Sequence, residues 1–199
     1  MKQTTVMVIY GGPRQNGATA NMLQCFTELL SRSAVEHSLP PVAFVRYTAY
    51  ACGFAPCTDC RACSRSEGCV QRDMDDFFRD FETADALIFA TPIYNMSFPA
   101  PLKTILDRMQ RYYNARFSLG KRPPIVKHRP AVMLMTAGSG DEDGSIAVRQ
   151  LERSFTVTNC ALVGHCIRNG TDQPEGSHAV KETLAAKLEQ CAAALLENV

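Results

Sequence analysis

The chain has 199 residues, 21 Lys+Arg against 20 Asp+Glu and nine cysteines. That length suits one domain with a sizeable core, and 46% hydrophobic with 21% charged residues is the balance of a globular chain rather than a disordered or fibrous one. A formal net charge of +1 gives no electrostatic case for nucleic acid or an anionic membrane as main partner.

No apolar run reaches the ~18 residues of a membrane span. The opening residues run from Met1-Lys2 straight into Thr5–Tyr10, without the regions of a signal peptide, so a cytoplasmic location is expected. An odd number of cysteines without a secretion signal also speaks against a disulfide framework. Cys57, Cys60, Cys63 and Cys69 fall within thirteen residues, while Cys25, Cys52, Cys160, Cys166 and Cys191 are scattered. In a reducing compartment such a cluster suggests metal or redox chemistry. The scattered five read as small apolar residues or, for Cys52, as a position with no regular relation to the cluster.

In chain order, Thr5–Tyr10 reads as a strand, and 19–33 as a helix with Met22, Leu23, Phe26, Leu29 and Leu30 at helical spacing. Val42–Tyr47 is a second strand. After the cysteine-rich stretch, 73–81 is a short acidic helix, with Asp75 and Asp76 in the first turn where the helix dipole favours them. Ala86–Ala90 is too uniformly apolar for a half-exposed strand and suits a central one covered on both faces. A helix over 101–113, a strand over 131–136, a helix over 145–156, a strand over 161–167 and a terminal helix over 177–198 complete the series. Five strands alternating with helices predict an α/β doubly wound parallel sheet in a single domain over 1–199, with the cysteine-rich loop inserted at about 51–72.

Ligands of such sheets bind beyond the carboxyl ends of the strands. After the first strand comes Gly11-Gly12-Pro13-Arg14-Gln15-Asn16-Gly17-Ala18-Thr19. Glycines turn the chain tightly, and the following helix N-terminus suits a phosphate. Ala18 stands where a P-loop has its lysine, so a single phosphate monoester is a better guest than a nucleoside triphosphate. After the third strand, Thr91-Pro92-Ile93-Tyr94-Asn95-Met96-Ser97-Phe98-Pro99 is rigid and apolar, a wall suited to a flat heteroaromatic ring. After the fourth, Thr136-Ala137-Gly138-Ser139-Gly140 would let a ligand lie close to the backbone. The histidines show no ligand spacing and no pairing with acid or serine, so hydrolase triads lack support. The basic stretch Lys121-Arg122…Lys127-His128-Arg129 reads as a solvated edge.

These motifs, with Leu102-Lys103…Asp107-Arg108, resemble in order and spacing the NADPH-dependent FMN reductase family of flavodoxin-like proteins, from about Val6 to Gly170. Within it, Cys57-x2-Cys60-x2-Cys63-x5-Cys69 followed by acidic residues is similar to the iron–sulfur flavoproteins. The resemblance implies a five-stranded sheet of order 2-1-3-4-5 with helices on both faces. It also implies non-covalent FMN, with its phosphate near Gly12, Pro13, Arg14, Asn16, Gly17, Ala18 and Thr19, and its ring against Pro92, Ile93, Tyr94, Asn95, Met96, Thr136, Ala137 and Gly138. The family usually has serine where Gly12 stands. Backbone amides of 94–96 and 136–138 would face the ring edge, and no protein general acid or base is named, because FMN carries the redox chemistry.

Cys57, Cys60, Cys63 and Cys69 suit a [4Fe–4S] cluster better than zinc, because structural zinc usually takes two C-x2-C knuckles across a longer spacer. The order of readings is cluster, empty loop, zinc. A cluster would relay single electrons between FMN and a carrier such as ferredoxin. Without it, NAD(P)H would reduce FMN for a small-molecule acceptor such as a quinone. A non-enzymatic flavodoxin-type carrier and a zinc-stabilised interaction module are the rival readings. The resemblance further implies a homodimer or homotetramer.

Overall fold

A computed structural model describes residues 3–172 and 178–199. Five strands form one parallel sheet: β1 (Thr4–Tyr10), β2 (Val42–Thr48), β3 (Ala86–Pro92), β4 (Arg129–Thr136) and β5 (Cys160–Arg168). Their order is β2-β1-β3-β4-β5, as the family resemblance implies. The helices are α1 (Ala18–Glu36), α2 (Ala49–Cys52), α3 (Asp75–Thr83), α4 (Ala100–Arg108), α5 (Gln110–Phe117), α6 (Ser145–Thr158) and α7 (His178–Glu197). Among the described residues no helix is long and apolar enough to cross a membrane.

The sheet explains the sequence pattern. β4 is buried along its whole length and β3 along all but its last residue, because both have a strand on either side and helices on both faces. The edge strands β2 and β5 are half-exposed. Side chains alternate between faces: Met7, Ile9, Leu87, Phe89, Met133 and Met135 pack beneath α3 to α6, whereas Val6, Val8, Tyr10, Ile88 and Leu134 pack against α1 and α7. On the first face Phe77 meets Tyr47, Phe54 and Phe78 edge-on and Phe81 in a stack.

Three readings of the sequence need correction. The stretch 101–113 is not one helix: Met109, buried and at ψ −8°, separates α4 from α5. Apolar residues at helical spacing continue across the break, so periodicity cannot reveal it. Arg129 does not belong to a solvated edge. It is fully buried, donates to the Phe81 and Thr158 carbonyls at the C-terminal ends of α3 and α6, and lies 4.8 Å from the Phe81 ring centre. Lys127, beside it, is held by Asp85 at 2.6 Å. Cys25 is exposed, whereas Cys166 and Cys191 are buried as expected. The predicted helix start at Ser177 lies outside the described residues.

Candidate functional site

The carboxyl ends of β1, β3 and β4 open into a cleft with about 680 Å³ of space, counting its open mouth. Its first wall is the β1–α1 loop: Gly12, Pro13, Arg14, Gly17, Ala18 and Thr19. Gly17 precedes α1 in extended conformation, and no side chain caps the helix. The first amides of α1 therefore stand without intrahelical partners, the electrostatics that anions fill. The loop is tied down at both ends. Gly11 N–H donates to the Ala90 carbonyl at 2.8 Å, and Thr19 Oγ1 lies 2.6 Å from Thr136 Oγ1, joining the start of α1 to the end of β4.

The second wall is Pro92, Ile93 and Tyr94. It ends in a two-residue turn in which Tyr94 N–H donates to the Ser97 carbonyl at 2.9 Å and Ser97 N–H donates back at 3.0 Å. Asn95 (φ 50°) and Met96 (φ 61°) are both left-handed, the arrangement of a type I′ turn. Thr136 and Gly138 line the floor, with Thr171 and Asp172 beside them. Asp172 leans over Gly138: a Cβ there would lie 2.1 Å from Asp172 Oδ2 and displace that carboxylate.

Eleven of the fifteen residues expected around a flavin line this cleft. Asn16, Asn95 and Met96 are exposed outside its wall, and Ala137 is buried beneath it. Two of the amides expected to face a ring are already engaged, Tyr94 N–H with Ser97 and Ala137 N–H with the Arg168 carbonyl at 2.9 Å. Tyr10, Thr171 and Asp172 also line the cleft without having been singled out. Tyr10 reads as a core position of β1, and the other two follow β5 after a single glycine, Gly170, a weaker signal than the glycine-rich loops after β1 and β4.

The residues present fit FMN. An uncapped helix N-terminus and Arg14 offer donors to a phosphate, the proline-bordered stretch Pro92–Tyr94 offers a rigid wall to a ring, and glycine backbone at 12, 17 and 138 lines the same cleft.

The second cavity is formed by the cysteine loop. Cys57, Cys60, Cys63 and Cys69 all line it, with Gln71, Arg108 and Asn114. The loop curls because Asp59 and Arg61 are left-handed, at φ 49° and 57°, as is Gly68, at φ 95°. A 3₁₀ turn over Ala62–Ser64 follows Arg61. Asn114 Nδ2 donates to Cys63 Sγ at 3.1 Å.

Arg108, on the last turn of α4, closes the loop at both ends. It donates to the Ala55 carbonyl at 2.8 Å, to the Gln71 carbonyl at 2.9 Å, and to Asp73 Oδ1 at 2.9 Å. Asp73 in turn accepts from Ala55 N–H at 2.8 Å. Burial alone would raise the Asp73 carboxyl; the hydrogen bonds from Arg108 and Ala55 outweigh it and hold the pKa below the usual range. The Arg108 Nε is buried without a partner.

Among the described residues no three His, Cys, Asp or Glu side chains converge closely enough for a single metal ion. Four thiols around one cavity are the donor set of thiolate-held iron–sulfur chemistry.

The model of a family described as NADPH-dependent FMN reductase matches residues 4–172. An iron–sulfur flavoprotein of Archaeoglobus fulgidus is 33% identical over 133 residues, 66% of this chain and 54% of its own. The chain thus spans about half the length of that relative. An FMN-dependent NADH:quinone oxidoreductase of Chromobacterium violaceum is 33% identical over 157 residues, 73% of this chain and 76% of its own. The solved NAD(P)H:quinone oxidoreductase of Methanothermobacter marburgensis superposes with a TM-score of 0.68 at 20% identity, covering 96% of this chain and 98% of that one. At that identity the likeness shows the fold.

Proposed function

The chain belongs to the NADPH-dependent FMN reductase family, and we propose that within it this protein is an FMN-dependent oxidoreductase of the iron–sulfur flavoprotein kind. The observation that carries the flavin half is the cleft, which brings together an uncapped α1 N-terminus, Arg14 and the Pro92–Tyr94 wall. The helix amides and the Arg14 guanidinium hold the phosphate. The Pro92–Tyr94 wall orients the ring, and Gly12 and Gly138 let the ligand approach the backbone. Bound FMN supplies the hydride and single-electron chemistry between a donor such as NAD(P)H and a small-molecule acceptor.

Cys57, Cys60, Cys63 and Cys69 would hold a [4Fe–4S] cluster, which supplies one-electron exchange with a carrier such as a ferredoxin. Arg108 closes the loop that carries them, and Asn114 orients the Cys63 sulfur. The second reading, a cluster-free NAD(P)H:quinone reductase, is supported by the match to the Chromobacterium violaceum enzyme over 73% of this chain and 76% of its own.

Anaerobic purification separates the two readings. The first requires flavin bands, a broad visible absorption that bleaches on reduction, and iron with acid-labile sulfide near four per chain. Flavin bands without iron, together with NAD(P)H-driven quinone reduction, select the second. A colourless chain that binds no added FMN overturns both.

A further inference from the structure

Gly12 is not required by its backbone. It is absent from the glycines with left-handed φ; what excludes a side chain is Tyr10. A Cβ on residue 12 would lie 2.4 Å from Tyr10 Oη and 2.7 Å from its Cζ. Tyr10 is the last residue of β1 and is 1% exposed. Its ring is fixed from the edge strand by Arg46, whose guanidinium carbon lies 4.4 Å from the ring centre, an ordinary cation–π distance. The hydroxyl emerges under the β1–α1 loop, where it donates to the Arg14 carbonyl at 2.5 Å. Burial pushes its pKa up against the opposing effect of Arg46, so the oxygen keeps the proton it donates. Tyr10 also forms part of the cleft wall.

The location gives this bond a consequence. A backbone carbonyl turned toward a phosphate would repel it, and a trans peptide points its N–H opposite to its C=O. Tying down the Arg14 carbonyl therefore fixes the Gln15 N–H as well, and with them the turn from which the Arg14 side chain leaves.

We propose that Tyr10 is the positioning residue of the anion end of the cleft: its hydroxyl pins the Arg14 carbonyl, keeps the loop in a phosphate-accepting shape, and so sets the preference for FMN over riboflavin. The inference rests on the cleft being the FMN site, and it assigns selectivity there to a residue on the core side of the loop.

The test uses Tyr10→Phe, which keeps the ring, the Arg46 contact and the packing and removes one oxygen. The flavin-free full-length chain is titrated separately with FMN and with riboflavin, following flavin fluorescence, with circular dichroism as the check of folding. Kd for FMN is expected to rise about tenfold, the worth of one such hydrogen bond, with Kd for riboflavin unchanged.

If Tyr10→Phe weakens both flavins equally, or neither, the inference is overturned while the FMN site stands. If the wild-type chain binds neither flavin, the FMN reading itself fails and the inference falls with it.

Discussion

The Arg108 side chain is sealed from water at 1% exposure, while its carboxylate partner Asp73 is 32% exposed. A buried cation that loses its counter-charge keeps the whole cost of its desolvation, so Asp73→Asn is expected to cost about 3 kcal/mol, read as a lowered urea midpoint. The pH dependence follows from the lowered Asp73 pKa. Between the folded value and the unfolded value of about 3.9, the unfolded chain binds the extra proton. The pair's contribution is thus complete above pH 4 and is lost as pH falls through the folded value. Asp73→Asn should flatten the acid limb of the curve of urea midpoint against pH; an unchanged limb would mean the pair is energetically idle. Arg108 also shows why part of the site escapes a reading of the sequence. The thiol spacing and the glycines of the first loop are local and therefore legible. Arg108 lies 35 positions from Asp73 and 53 from Ala55, and only folding brings them together.

At the scale of the element, the turn closing the second wall of the cleft carries strain. Asn tolerates left-handed φ, but Met96 at φ 61° is an unfavourable residue there. Its side chain is half in solvent, at 53% exposure, so little packing is lost on removing it. Relief of the left-handed penalty, partly offset by the greater freedom of an unfolded glycine, makes Met96→Gly more stable by about 0.5–1 kcal/mol. Guanidinium unfolding measures this, and a less stable variant would show that the methionine packs where it appears exposed. The flanking prolines and aromatics announce a rigid loop in the sequence, but Asn-Met lacks the glycine that usually advertises this turn. The break at Met109 is hidden for the opposite reason, since the apolar series Leu102, Ile105, Leu106, Met109 and Tyr112 is what an unbroken helix would also show.

For the whole molecule, the alternation of elements gives the parallel sheet and the apolar run Ala86–Ala90 marks β3 as central, while the strand order comes from the resemblance. What the sequence conceals is how helices are fastened to the sheet. Arg129 serves the carboxyl ends of two helices at once, where a cation meets the negative ends of both dipoles. Arg129→Met is expected to lower global stability by about 2–3 kcal/mol, and Arg129→Lys to restore less than half of it, because a single ammonium cannot span both carbonyls. Thermal unfolding of the two variants decides this. Charge patterning places that arginine in a basic surface run, and its burial becomes visible only once α3 and α6 converge on β4.

Helix α4 has one more bearing on how the protein works. It starts after the turn that borders the cleft and ends at the residue gripping the cysteine loop, nine residues and about 13 Å later at 1.5 Å per residue. It acts as a gauge block between the two cavities, whose separation is set by a count of residues rather than by the loops that decorate it. Adding a single residue within it would swing Arg108 about 100° around the axis and release the cysteine loop while leaving the cleft intact. The length of that one helix couples the two halves of the molecule.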